Sequence, residues 1–391
     1  METKRMALHL SKRHEWVLQS EIRNMSIECD RMGGINLSQG VCDTEVPAVV
    51  RKGARDAMDN GINSYTRYDG LDELRNAIAA KQRWFAGMDV DPDNEIVVSA
   101  GATGALYCAC LALLDPGDEV IVFEPYYGYH ISTLVATQAV PVYVRMIPPD
   151  WTFTYSDLER AKTAHTRAII VNTPANPSGK VFGPAELAQI ARFAVEHDLF
   201  VFTDEIYEHF IYDGRRHIPP ATLPGMAERT ITISGLSKTF SVTGWRIGYS
   251  ICSAKWAQTI GYFNDLVYVC APAPLQIGVA AGLLALGAEY YEGLSIDYKN
   301  KRDKVCEALA SAGLKPYVPQ GAYYVLADMS RLPGDSSKER AMYLLNRTGV
   351  ACVPGEAFYD DEAGEDLARF CYAKEDKVLD EACRRISSMK R

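Results

Sequence analysis

The chain has 391 residues, 48% of them apolar and 23% charged, with a formal net charge of -9, which is enough for a large buried core and two soluble domains. The acidic balance argues against nucleic acid as the main partner, because a duplex-binding surface must be basic to displace counterions. The longest small-apolar run, Val279–Ala288, is too short to span a bilayer, and Met1–Trp16 is charged and lacks the apolar stretch of a secretory signal.

Ten cysteines (Cys29, Cys42, Cys108, Cys110, Cys252, Cys270, Cys306, Cys352, Cys371 and Cys383) form no Cys-x-x-Cys pair, and the seven histidines are dispersed. Free buried thiols, no metal and a reducing cytoplasm are therefore expected.

In chain order, apolar runs predict strands at Glu95–Ser99, Glu119–Phe123, Pro141–Met146, Ala168–Asn172, Leu199–Thr203, Thr230–Ser234 and Gly248–Cys252. Helical patterns lie between most of them, for example Pro184–His197. This alternation predicts an α/β domain with a mainly parallel sheet flanked by helices. After about residue 285 the pattern changes. A charged helix at Tyr290–Ala312 leads to short strands at Gly321–Ala327, Gly349–Val353 and Leu367–Tyr372, then to a closing helix from about Glu375. That reads as a smaller α+β domain. Residues 1–45, which show no partner strand of their own, are expected to pack on it. The division is thus 46–285 for the large domain, and 1–45 with 286–391 for the small one.

In open α/β sheets, ligands collect beyond the carboxyl ends of strands. Four polar motifs fall there. Gly101-Ala102-Thr103-Gly104 opens a helix through Leu106–Leu113. Its backbone N–H groups and dipole suit an anion, and Thr103 offers a hydroxyl. Asn172-Thr173-Pro174-Ala175-Asn176-Pro177-Ser178-Gly179 is a rigid turn that offers Asn176 as a donor and is a place for a cis proline. Thr203-Asp204-Glu205-Ile206-Tyr207 puts a carboxylate at the end of a buried strand, which needs a partner. As ordinary structure, these three read as a capped turn, a proline turn and a helix N-cap. Gly235-Leu236-Ser237-Lys238-Thr239-Phe240-Ser241-Val242-Thr243-Gly244-Trp245-Arg246-Ile247-Gly248 is different. It sets Lys238 among small and hydroxyl side chains in a segment almost free of other charge, followed by an arginine suited to a phosphate.

The Gly235–Gly248 segment resembles the lysine signature of class I/II aminotransferases, enzymes of pyridoxal-phosphate (PLP) fold type I. The likeness extends over nearly the whole chain. It implies a homodimer that moves the amino group of an L-amino acid to a 2-oxo acid such as 2-oxoglutarate, with pyridoxal 5'-phosphate as cofactor. By that resemblance, Lys238 forms the Schiff base and carries the Cα proton. Asp204 pairs with the pyridine nitrogen, and Tyr207 and Asn176 bond the ring hydroxyl oxygen. Ala102, Thr103, Ser237 and Arg246 hold the phosphate. Tyr127 stacks on the ring, and Tyr65 reaches the phosphate of the other subunit. Arg369 binds the substrate α-carboxylate, with Gly40 beside it.

The chain also departs from the family pattern. Gly235 stands where many relatives carry serine, which leaves Ser237 or Ser234 for the phosphate. Tyr268-Val269-Cys270-Ala271-Pro272-Ala273-Pro274 replaces a common Ser/Thr-Asn-Pro run. A fold-type-I lyase, such as a C–S β-lyase, would use the same lysine, aspartate and arginine. A PLP-binding regulator would need a DNA-binding module that about 45 leading residues do not supply. For the amino donor, Tyr65, Tyr68, Tyr126, Tyr323 and Trp151 suggest an apolar or aromatic side chain, while Arg67 reads as a turn-surface arginine.

Overall fold

A computed structural model describes residues 8, 10, 11 and 20–389, so the Met1–Trp16 segment lies almost wholly outside the described residues. The first strand, β1 (Ile35–Asn36), follows a helix at Glu21–Arg31. Seven further strands form one sheet: β2 (Ile96–Ala100), β3 (Glu119–Glu124), β4 (Val140–Arg145), β5 (Thr166–Asn172), β6 (Phe200–Asp204), β7 (Thr230–Gly235) and β8 (Ile247–Ile251). Their order is β2-β8-β7-β6-β5-β3-β4. Apart from β8 the neighbours run parallel, whereas β8 is antiparallel to both β2 and β7.

The central strands read as unbroken apolar runs because helices cover both faces. Alternate residues feed separate cores. Ile121, Ile169 and Val201 pack on one side, while Val122, Ile170, Phe202 and Ile231 pack on the other. All seven predicted strands are present, with ends shifted by a residue or two. The helix predicted at Pro184–His197 runs Pro184–Glu196, with proline in its first turn and Gly183 N–H donating to Glu186 Oε2 at 2.9 Å.

A second, antiparallel sheet follows: β9 (Lys315–Tyr317), β10 (Tyr324–Asp328), β12 (Val353–Pro354) and β13 (Leu367–Cys371), in the order β12-β13-β10-β9. The remaining strand, β11 (Val350–Ala351), pairs in parallel with β1. This corrects two expectations. The segment before residue 46 does own a strand with a partner, and the single strand expected at Gly349–Val353 is two short pieces in different sheets. Two-residue pairings leave no apolar periodicity to read. Met25, Cys29 and Leu37 join Val305, Leu309, Phe370 and Leu379 in one core. Helices at Ala288–Ser311 and Asp376–Ser387 take the places predicted for them.

All ten cysteines are free, and nine are buried. Burial pushes the thiols of Cys108 and Cys383 up to about 11. Among the described residues, no single helix is long and apolar enough to cross a membrane.

Candidate active site

The parallel strands β2, β3, β5, β6 and β7 deliver their carboxyl ends to one edge of the sheet. Because β8 runs the other way, its amino end meets them there, with Gly248 opposite both Gly235 and Ser99. Arg246 therefore arrives beside the helix Gly101–Leu113. The convergence surrounds a cavity of about 470 Å³. Gly40, Ala102, Thr103, Tyr127, Asn176, Asp204, Tyr207, Ser237, Lys238, Arg246 and Arg369 all line it. Tyr65 does not; it lies outside and is 84% exposed.

Lys238 sits in the turn after β7, and its Nζ donates to the Gly40 carbonyl at 3.1 Å. No carboxylate pairs with it among the described residues. Burial lowers the pKa of its ammonium, because the charged form loses its hydration.

Asp204 ends β6. Its Oδ2 lies 2.8 Å from His130 Nε2, and the Tyr127 ring stands edge-on to that imidazole at 5.3 Å. Tyr207 lies one turn on, with its hydroxyl 2.9 Å from that of Tyr324. Burial first, and the neighbouring Tyr324 second, push the Tyr207 phenol well above its ordinary range. A Cβ at Gly40 would fall 1.9 Å from the Tyr324 hydroxyl, so only glycine fits there.

Arg369 lies mid-strand in β13 and is 1% exposed. Its Nη1 donates to Asn176 Oδ1 at 2.8 Å and its Nη2 to the Ser38 carbonyl. The Tyr324 ring lies 4.4 Å from the guanidinium and Phe358 lies 5.2 Å away. Among the described residues Nε has no partner, and no carboxylate pairs with this arginine. A buried cation without a counter-charge is costly, so the site is built for an anion. Because Asn176 Oδ1 is taken by Arg369, its Nδ2 is the atom left for a ligand oxygen.

At the other end, the helix Gly101–Leu113 opens with no side-chain cap. Gly101 has φ +75°, and a Cβ there would fall 2.3 Å from Arg246 Nη2. The glycine lets the guanidinium reach the uncapped N–H groups of Ala102 and Thr103, and together these form an anion site. Ser237 lines the cavity, whereas Ser234 is turned away, its Oγ donating to Glu208 Oε1 at 3.0 Å. The serine alternative thus narrows to Ser237. The proline turn carries two cis bonds, at Thr173–Pro174 and Asn176–Pro177.

None of the five aromatics offered for the donor side chain lines the cavity. Trp151 is core, and the Tyr126 hydroxyl donates to the Tyr359 carbonyl at 2.7 Å. Tyr127, Tyr129, Phe202, Tyr207 and Tyr324 line it instead. Arg67 pairs with Asp69 at 2.6 Å, as a turn arginine would. Sequence reasoning missed His130, Tyr324 and Arg23, whereas Gln39 belongs to the Gln39–Asp43 run that departs from the family pattern and was expected to border the substrate side chain; Gln39, Gly40 and Val41 of that run line the cavity. His130 had a signal, since it stands three residues beyond Tyr127 in a helix start. Tyr324 had none, because strand pairing alone brings it in.

Behind the site, Glu205, Glu208 and His217 bring their ligand atoms within 4.8 Å of one another, a grouping that linear spacing hides. Lys81 lies 2.5 Å from Glu208, and His217 lies 2.5 Å from Glu205.

The mainly parallel seven-stranded sheet carries this cavity at its carboxyl edge, where enzymes of α/β fold bind their substrates. The chain is a member of the aminotransferase class I and II family, whose family model matches residues 33–386. It is 37% identical to kynurenine--oxoglutarate transaminase 3 of Mus musculus over 89% of this chain and 83% of that one. Among solved structures, N-succinyldiaminopimelate aminotransferase from Mycobacterium tuberculosis superposes with a TM-score of 0.94 at 36% identity, covering 97% and 100% of the two chains. YbdL from Escherichia coli, described with a methionine aminotransferase function, superposes with a TM-score of 0.93 at 30% identity, covering 98% and 100%. The enzyme therefore moves an amino group between an amino acid and a 2-oxo acid. Members of this family use pyridoxal phosphate.

Proposed function

We propose that the chain binds pyridoxal 5'-phosphate through Lys238 and transfers the amino group of an L-amino acid to 2-oxoglutarate. One observation carries this reading: among the described residues, Lys238 and Arg369 are cations without carboxylate partners and face one cavity in which Asp204, bonded to His130, is the only carboxylate. The residues fit the cofactor. The uncapped helix start, Ser237 and Arg246 match its phosphate, and Asp204 matches its ring nitrogen.

When bound, the cofactor supplies an aldehyde that joins an amine and a ring that takes up the electron pair left at Cα. The chain's residues do the rest. His130 holds Asp204 in place, and Asp204 would keep a proton on the ring nitrogen by a charge-assisted hydrogen bond. Tyr207 and Asn176 Nδ2 would donate to the ring hydroxyl oxygen, and Tyr127 would pack on the ring. Arg369 would grip the substrate carboxylate through its guanidinium nitrogens and so orient Cα toward Lys238. Lys238 Nζ, held near Cα and readily deprotonated, takes the Cα proton and returns it.

The reading includes a homodimer in which Tyr65 completes the phosphate site of a second copy. Tyr65, Tyr262, Leu266 and Val267 are exposed at 84%, 56%, 78% and 45%, an apolar set suited to being covered. Sedimentation of the active enzyme should give the mass of two chains; an active monomer would contradict this. Residues 46–285 are taken as the cofactor-binding domain, with 1–45 and 286–391 as the smaller one. The nine buried free thiols support a cytoplasmic location.

Absorbance tests the function. An amino donor alone should bleach the band of lysine-bound cofactor, and a 2-oxo acid should restore it. A lyase would keep the band and release ammonia. In the same titration, Arg369→Lys should need about tenfold more donor, because a single ammonium cannot replace the fork.

A further inference from the structure

Tyr323 stands outside the cavity, yet it is linked to Lys238 from two sides. It is fully buried just before β10, with its ring edge-on to those of Tyr207 and Phe210 at 4.9 and 5.5 Å. That packing needs only a phenyl ring. A buried hydroxyl is costly unless it has hydrogen-bond partners, and this one has two. It donates to the Gly40 carbonyl at 3.3 Å and accepts from Cys42 Sγ at 3.5 Å. Burial first, and Cys42 second, push the phenol well above its ordinary range, so it stays protonated and remains a donor.

The same Gly40 carbonyl accepts from Lys238 Nζ at 3.1 Å. Cys42 Sγ in turn lies 3.9 Å from the Lys238 backbone carbonyl, so one weak S–H donor faces both that carbonyl and the tyrosine oxygen. Gly40 has no side chain to hold its peptide in place, and a Cβ there would meet the Tyr324 hydroxyl at 1.9 Å. The direction of its carbonyl is therefore left to the groups that bond it. Lys238 cannot supply that hold during turnover, because its amine must leave the carbonyl to do chemistry. Tyr323 can, since it faces neither cavity nor ligand.

We infer that Tyr323 is a positioning residue for transamination: its phenol fixes the Gly40 carbonyl as the point that receives the Lys238 amine each time that amine comes free, and Cys42 orients the phenol. This deepens the proposed function, in which Lys238 carries the Cα proton.

Tyr323→Phe removes the hydroxyl and keeps the ring. In the cofactor-loaded enzyme it should lower kcat about three- to tenfold, the size of one net hydrogen bond. The KM for the amino donor should change less than about twofold, because Tyr323 meets no substrate. The isotope effect of an α-deuterated donor should rise, since the slowed step is proton transfer at Lys238. A readout without turnover uses the cofactor-free protein. The rate at which saturating pyridoxal 5'-phosphate produces the band of lysine-bound cofactor should fall by a similar factor, as the amine is presented from the same place. Cys42→Ala should move kcat, isotope effect and capture rate in the same directions by about twofold, a thiol being the weaker donor. It decides alone if the phenylalanine variant does not fold. A tyrosine that merely packs would lower the folded fraction, and with it the amplitude of the band, but leave the capture rate and the isotope effect unchanged. That result, or a raised KM at unchanged kcat, overturns the inference while transamination stands. If the wild-type protein forms no lysine-bound band with pyridoxal 5'-phosphate, the proposed function fails and takes this inference with it.

Discussion

Replacing Lys238 with alanine is expected to lower turnover by about 10⁴-fold or more, because in the proposed function one side chain supplies both the covalent attachment and the proton transfer. Borohydride treatment should leave a pyridoxyl label on Lys238 of the wild type and none on the variant; a labelled variant would place the cofactor elsewhere. A second signature lies in stability without cofactor. Burial depresses the Lys238 ammonium below its ordinary 10.5. Between the depressed value and 10.5, the unfolded chain binds a proton that the native chain does not. Native stability therefore rises with pH through that window. Lys238→Met removes the group and should be more stable than the cofactor-free wild type at neutral pH. That advantage should shrink toward about pH 10. Urea midpoints of the two cofactor-free chains across this range check it, and a constant difference would show that the amine is not desolvated.

The second large effect is structural. Lys81 and Glu208, 2% and 4% exposed, pair at 2.5 Å behind the catalytic edge. Lys81→Met should cost about 3–5 kcal/mol, because it strands a carboxylate in the interior. Ser234 Oγ would remain as its hydrogen-bond donor. Adding Glu208→Leu should restore most of the loss, since an apolar pair of similar volume is commonly tolerated where half an ion pair is not. Chemical denaturation of wild type, single and double variants gives the answer; a double variant no better than the single would mean the pair is not the main term. Glu208 shares the turn that presents Asp204 and Tyr207, so turnover should follow stability in this series.

Much of the molecule was legible in one dimension. Continuous apolar runs gave the strands of the large sheet, because a strand buried on both faces has no polar residue to interrupt it. Glycine and proline punctuation marked the turns that follow them, and the site motifs sit on those turns because strand ends are where an α/β sheet exposes backbone. Hence Lys238, Asp204, Asn176 and the Gly101–Thr103 turn could be named in advance. Arg246 was found by its neighbours in sequence, but the reason it reaches the start of the helix Gly101–Leu113 was not: β8 runs against the rest of the sheet, and hydrogen-bond direction leaves no mark in residue order.

What the sequence by itself determined is local: which segments are strands or helices, and which reactive side chain follows each. What only the tertiary structure decided is who meets whom. His130 on Asp204, Tyr324 between Tyr207 and Arg369, Arg23 at the mouth, and Lys81 on Glu208 are contacts across 74, 45 to 117, and 127 residues of chain, apart from Arg23, whose place depends on how its helix docks. Such partners are chosen by strand order and helix docking. Those depend on burying total apolar area, a quantity summed over the whole chain and carried by no single motif.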